Sequence, residues 1–212
     1  MRPPTVYPDA ERLAVAAAAI VAEAVRSAAP LRLVLAGGTT PKRCYTLLAA
    51  MDLSWAHVTA LFGDERCVPP LDPASNFRLA SDALLGTACP ATIHRIPAEL
   101  GPDEAAAAYE PIVAAAPLDL VLLGIGQDGH TASLFPGNSA LRATGYVVGV
   151  RNAAKPPPER VSLTLRALRG AKRVVILAAG ADKKEAVRRA FAGEVPAGMI
   201  EHAEWLVTAD AR

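Results

Sequence analysis

Leu118-Asp119-Leu120-Val121-Leu122-Leu123-Gly124-Ile125-Gly126-Gln127-Asp128-Gly129-His130 is an apolar run that stops in a glycine-rich turn carrying a histidine. A short apolar segment bounded by turn residues suits a strand buried on both faces, and such strands belong to parallel sheets covered by helices. The carboxyl ends of those strands open into crevices, where loops aim backbone N–H groups and side chains at a ligand. Of the chain's four histidines, His130 has the best setting for catalysis. His57, His94 and His202 stand beside or within apolar segments and read as structural or surface residues.

Helical and strand patterns alternate on either side of this stretch. Residues 10–28 carry Leu13, Ala17, Ile20 and Ala24 at helical spacing behind Asp9, a capping residue. Further helices are expected over 41–50, 76–85, 103–115 and 182–192, the first with Thr40 as its cap and Pro41 at its first position. Strands are expected at 31–36, 58–62, 93–96, 118–123, 146–150, 161–165, 174–179 and 205–208, and a long polar loop at 64–75. Such alternation predicts an α/β fold, with a mainly parallel sheet and helices on both faces. With no repeat and no linker, residues 1–212 read as a single domain.

The composition narrows the possible roles. A chain of 212 residues with 52% hydrophobic content buries roughly 70% of its unfolded surface without disulfides or metals. A formal net charge of +1, scattered along the chain, gives no field for recruiting nucleic acid or an anionic membrane, so anion specificity has to be local. Cys44, Cys67 and Cys89 are odd in number and widely spaced, which argues against a disulfide framework and against a four-ligand zinc site. They read as small core residues. No signal-peptide pattern and no span of roughly 20 apolar residues is visible, and a cytoplasmic setting is expected.

Four loops fall at expected strand ends. Gly37-Gly38-Thr39-Thr40 precedes a helix, where close backbone approach and free N–H groups suit a phosphate; the plainer reading is a tight turn. Asp64-Glu65-Arg66, followed by Asp72, Ser75 and Asn76, offers a bidentate arginine beside carboxylates, or a surface salt-bridge cluster. Gly124, Gly126 and Gly129 formally spell a dinucleotide fingerprint, but Pro136 and Gly137 interrupt any following helix and residues 140–158 contain no acid. NAD binding is therefore rejected. The turn instead displays His130, with Asp128 two residues before it, for proton transfer near neutral pH. Lys155 and Arg160 flank a proline run and Lys183 and Lys184 follow a strand–glycine turn, as cations for phosphate or plain surface charges.

Gly37-Gly38-Thr39-Thr40-Pro41, Asp64-Glu65-Arg66-Cys67-Val68-Pro69 with Ser75-Asn76, the 124–136 segment and Lys155-Pro156-Pro157-Pro158-Glu159-Arg160-Val161-Ser162-Leu163-Thr164 together resemble the 6-phosphogluconolactonase family, in the same order and over nearly the whole chain. The resemblance implies hydrolysis of 6-phospho-D-glucono-1,5-lactone in the oxidative pentose phosphate pathway, without metal or organic cofactor. It also implies a modified Rossmann-like fold shared with glucosamine-6-phosphate deaminases and ribose-5-phosphate isomerases. Residue by residue, His130 matches the catalytic histidine, with Asp64 or Asp128 orienting its ring. Gly37, Gly38, Thr39, Thr40, Arg66, Asn76, Lys155, Arg160 and Lys183 fall in the sugar-phosphate set. The partner is a small sugar-phosphate lactone, with no nucleic acid or membrane, and a monomer or weak homodimer is expected. One departure is Arg151-Asn152-Ala153-Ala154 before the lysine, where many relatives have a serine.

Two other readings share these loops. Amino-sugar-phosphate deaminases usually follow the histidine with an Ile-Ala-Phe-Asn-Glu-Pro type of segment, where this chain has Thr131-Ala132-Ser133-Leu134-Phe135-Pro136. A sugar-phosphate sensor needs a DNA-binding unit, and no basic recognition helix is visible.

Overall fold

The computed structural model describes every residue except Ala28, Cys89 and Ala91, so the expectation for Cys89 lies outside the described residues. In chain order the elements are β1 (Thr5–Tyr7), α1 (Ala10–Arg26), β2 (Leu31–Leu35), α2 (Thr39–Ala49), β3 (Val58–Phe62) and β4 (Asp64–Arg66). Then come α3 (Asn76–Ala80), a π-helical turn over Ser81–Leu85, α4 (Gly86–Ala88), β5 (Thr92–Ile93), α5 (Pro102–Ala114) and β6 (Leu120–Gly124). The chain continues with β7 (Val147–Val150), β8 (Arg160–Leu163), α6 (Leu165–Arg169), β9 (Arg173–Ala178), α7 (Lys184–Phe191) and β10 (Glu204–Thr208).

Seven strands form one sheet in the order β1-β10-β9-β6-β2-β3-β5, and every pairing in it is parallel. The apolar run that opens the sequence reading is β6, seated between β2 and β9. Leu33 faces Leu120 in register, and Leu122 faces Val175. From β2 the chain winds outward to β3 and β5, then returns to β6 and winds the other way through β9 and β10. The winding reverses between β2 and β6, the place where open α/β sheets form ligand crevices.

Helices cover this sheet because their apolar positions repeat at helical spacing. In α1, Leu13, Ala14, Ala17, Ala18, Val21, Ala22 and Val25 are buried, while Ile20 and Ala24 lie at the margin of that face. Asp9 caps the helix by accepting from Arg12 N at 2.7 Å. Two buried tyrosines finish strand ends where ladder partners run out. Tyr45 Oη on α2 accepts from Ala36 N and donates to Ala36 O, both at 2.8 Å. Tyr109 Oη on α5 accepts from Phe62 N at 2.9 Å and donates to His94 O at 3.2 Å. Their burial pushes both phenols well above the usual tyrosine range.

Several sequence expectations change here. The segment 64–66 is strand β4 rather than the start of a loop; it pairs antiparallel with β8, and β8 with β7, in a separate three-stranded sheet. The strands expected at 146–150 and 161–165 therefore stand outside the parallel sheet. Their polar residues are buried by packing against the large sheet's loops, a tertiary effect that strand periodicity does not carry. Helix α5 closes the other side, where the Glu110 carboxylate accepts from Tyr146 N at 2.8 Å and Val147 N at 2.6 Å. Helix α2 begins at Thr39, with Gly38 as its cap at φ 111°, so Thr40 is inside the helix and not its cap. A positive φ lets the chain turn from strand to helix within the three residues between Leu35 and Thr39, which a β-branched residue resists. Strand β1 and the short helix α6 have no counterpart in the sequence reading, and the strand expected at 93–96 is confined to Thr92–Ile93. Among the described residues, no helix is long and apolar enough to cross a membrane.

Candidate active site

A cleft of about 320 Å³ opens at the carboxyl ends of β9, β6, β2 and β3, four adjacent strands. Its lining includes Gly37, Gly38, Thr39, Thr40, Asp64, Arg66, Asn76, His130, Lys155, Arg160 and Lys183. Asp128 stands behind His130. Residues spread over nearly 150 positions thus converge because four parallel strands deliver their following loops to one edge, where the three-stranded sheet and its β7–β8 loop add Asp64, Arg66, Lys155 and Arg160.

The histidine turn is closed by Gly126 N donating to His130 O and Gly129 N to Gly126 O, each at 2.9 Å, and by Thr131 Oγ1 donating to Gly124 O at 2.9 Å. A side chain at Gly126 would overlap the His130 ring, so only glycine lets the imidazole fold back over the turn. Asp128 Oδ1 lies 2.5 Å from His130 Nδ1, and Asp64 makes no hydrogen bond to the ring. The carboxylate fixes the proton on Nδ1 and leaves Nε2 as the free acceptor. Phe135 packs on the ring at a centroid distance of 4.5 Å. Burial holds the His130 pKa below the ordinary value, although Asp128 and, more weakly, Asp64 pull it upward. For Asp128, burial opposes ionisation, yet the hydrogen bond and charge of His130 outweigh it and lower its pKa.

Asp64 and Arg66 come from β4, and their neighbour Glu65 points to the start of α3. The Glu65 carboxylate accepts from Arg66 N at 2.8 Å, Asn76 N and Phe77 N at 2.7 Å, and Ser75 Oγ at 2.9 Å. These four bonds offset a burial that nonetheless leaves its pKa raised. Asn76 Nδ2 donates to Asp64 O at 2.9 Å and lies 3.1 Å from Asp64 Oδ1. Its amide also packs directly on Gly37, where any side chain would collide with it. Arg66 is anchored through Nη1 to Ala74 O at 2.5 Å, with Nε buried and unpartnered among the described residues.

The first turn of α2 presents the amides of Thr39 and Thr40, which have no intrahelical acceptor, and the positive end of the helix dipole. Lys183 Nζ approaches the same cleft, 3.0 Å from Asp182, which also accepts from Gln127 Nε2 at 2.9 Å. Arg160 is only 4% exposed. Its guanidinium donates to the carbonyls of Pro157 at 3.0 Å, Lys155 at 2.9 Å and Pro156 at 3.1 Å, so most of its donors hold the proline loop that carries Lys155. Arg151, in the segment departing from the family pattern, pairs with Asp103 at the surface. Lys184, by contrast, is not in the cleft lining. His57 Nε2 bonds Val25 O at 2.8 Å, a structural contact, and Cys44 is buried while Cys67 is partly so. Among the described residues no group of three or more His, Cys, Asp or Glu converges as a metal site would.

The family model for glucosamine-6-phosphate isomerases/6-phosphogluconolactonase matches residues 8–208. The chain belongs to this family. A 6-phosphogluconolactonase of Streptomyces coelicolor is 39% identical, over 92% of this chain and 84% of the relative. That of Mycobacterium leprae is 37% identical, over 97% of this chain and 95% of its own. The solved structure of 6-phosphogluconolactonase from Trypanosoma brucei superposes with a TM-score of 0.88 at 27% identity, covering 99% of this chain and 97% of that one. The α/β fold expected from the sequence is thus the fold of its family.

Sequence reasoning passed over Ser133 and Ser162. Both are fully buried beside Asp64, and their only signal was a hydroxyl inside otherwise apolar surroundings.

Proposed function

We propose that this protein hydrolyses 6-phospho-D-glucono-1,5-lactone to 6-phosphogluconate, as one domain acting in the cytoplasm on a small sugar phosphate. The observation that carries this reading is His130, with Nδ1 held by Asp128 and the residue lining a cleft that also presents cations and a helix N-terminus. The lactonases at 37–39% identity support the lactone over an amino sugar as substrate.

In this reading the amides of Thr39 and Thr40, with Arg66, Lys183 and Lys155, bind the 6-phosphate. The ring then lies toward β6 with its C1 carbonyl near His130. Neutral imidazole takes a proton from water as the water's oxygen attacks C1, and Asp128 stabilises the imidazolium that forms. Backbone N–H groups of the glycine-rich turns stabilise the tetrahedral oxyanion. As C1–O5 breaks, imidazolium returns the proton to the departing ring oxygen, which becomes the C5 hydroxyl, and 6-phosphogluconate leaves. Asp64 orients a substrate hydroxyl and favours the charged form of His130 from across the cleft.

The test is hydrolysis of freshly generated lactone, corrected for the spontaneous reaction, by wild type and by folded His130→Asn. General-base catalysis is worth about 10²–10⁴-fold, and the variant should lose that much in kcat. Full activity in the variant removes His130 from the mechanism, and an inactive wild type removes the lactone.

A further inference from the structure

Ser133 lies three residues beyond His130, in a turn closed by Leu134 N donating to Thr131 O at 2.9 Å, with Ala132 held at φ 48°. It is 0% exposed and does not line the cleft, whereas Asp64, which does, is 6% exposed. Ser133 Oγ donates to Asp64 Oδ2 at 2.6 Å, within the range of a charge-assisted O–H···O⁻ bond. Ser133 N donates to Ser162 Oγ at 3.1 Å, and Ser162 Oγ in turn donates to Leu163 O at 2.9 Å. Ser162 stands directly opposite Asp64 in the β4–β8 register. The serine therefore bridges the two partners of that antiparallel pair, one through its hydroxyl and the other through its amide.

A hydroxyl has one proton to donate, and here it is donated in the hydrogen bond to the carboxylate. The remaining lone pairs face Arg160 Nη1, a longer contact at 3.4 Å. Asp64's second oxygen is met by Asn76 Nδ2 at 3.1 Å. Both oxygens of one cleft carboxylate are thus held by neutral donors on different elements, which freezes its rotation without neutralising its charge.

We infer that Ser133 is a positioning residue for the reaction, holding Asp64 in the orientation in which its carboxylate meets the substrate. This rests on the lactone-hydrolase reading. It ties the histidine loop to β4, so that His130 and the Asp64 carboxylate keep a fixed separation.

A double-mutant cycle tests it, with kcat, KM and thermal midpoint measured for wild type, Ser133→Ala, Asp64→Asn and the pair. Loss of one hydrogen bond to a charged group acting in the transition state corresponds to about a tenfold drop in kcat. Ser133→Ala should show that drop with KM little changed. In the Asp64→Asn background the same substitution should change kcat by less than about twofold, because coupled residues do not add. Equal losses in both backgrounds, or wild-type kcat in Ser133→Ala, overturn the inference. If the alanine variant fails to fold, Ser133→Cys, similar in size with a weaker donor, takes its place, with a smaller loss and the same non-additivity expected. An active wild type that loses turnover in His130→Asn keeps the lactonase reading standing even when the cycle is additive, whereas an inactive wild type overturns both.

Discussion

The two sheets meet the cleft in opposite ways. In the seven-stranded sheet the strands are apolar and the cleft-lining side chains lie beyond their ends, as with His130 after β6 and Lys183 after β9. In the three-stranded sheet the cleft-lining side chains are on the strand residues themselves: Asp64 and Arg66 in β4, Arg160 in β8. A loop beyond a buried strand can carry a functional side chain at little cost to the fold. A charge inside a short buried strand must be matched by local partners, so there function and stability share the same hydrogen bonds.

The largest expected effect is on the first side. His130→Asn should lose about 10²–10⁴ in kcat while its thermal midpoint stays close to that of wild type. A variant that lost stability along with activity would blur the division. Glu65→Gln probes the other side, since an amide presents a donor where two of four donors now find an acceptor. With each buried unsatisfied group costing about 1–3 kcal/mol, urea unfolding should show a loss of about 3 kcal/mol, with a much smaller change in kcat per folded molecule. Unchanged stability with collapsed turnover would move Glu65 into the chemistry.

Asp128→Asn should have an intermediate effect, about a tenfold loss in kcat for one charge-assisted bond, and its pH profile is more telling. Burial already lowers the His130 pKa, and Asp128 raises it. In wild type the acid limb of kcat/KM therefore falls below the ordinary histidine value of about 6.5, with the neutral base present across physiological pH. Removing the Asp128 charge takes away an upward influence, so the limb shifts to still lower pH. A shift to higher pH would show that Asp128 does not stabilise the imidazolium.

The same contrast explains what the sequence made legible. The apolar run from Leu120 to Leu123 followed by glycines has one good physical interpretation, and it led to β6, to His130 and to a mainly parallel sheet. Asp64-Glu65-Arg66 has no apolar alternation, because its burial comes from Ser133, Ser162 and the start of α3, residues distant in the chain. Three polar residues therefore looked like loop. Thr40 was a reasonable helix cap by residue type, and was displaced because the positive φ of Gly38 starts the helix two residues earlier. The proline loop likewise suggested free cations, whereas folding turns Arg160 inward onto the carbonyls of its own segment.

Tyr45 and Tyr109, which finish the ends of β2 and β3, make up half of the chain's four tyrosines. Their phenols resist ionisation for as long as they stay buried. In an alkaline titration their share of the phenolate absorbance should appear together with the loss of the far-ultraviolet circular dichroism signal. The protein thus contains an intrinsic optical reporter of the integrity of the strand ends that support its cleft, readable without any label or substrate.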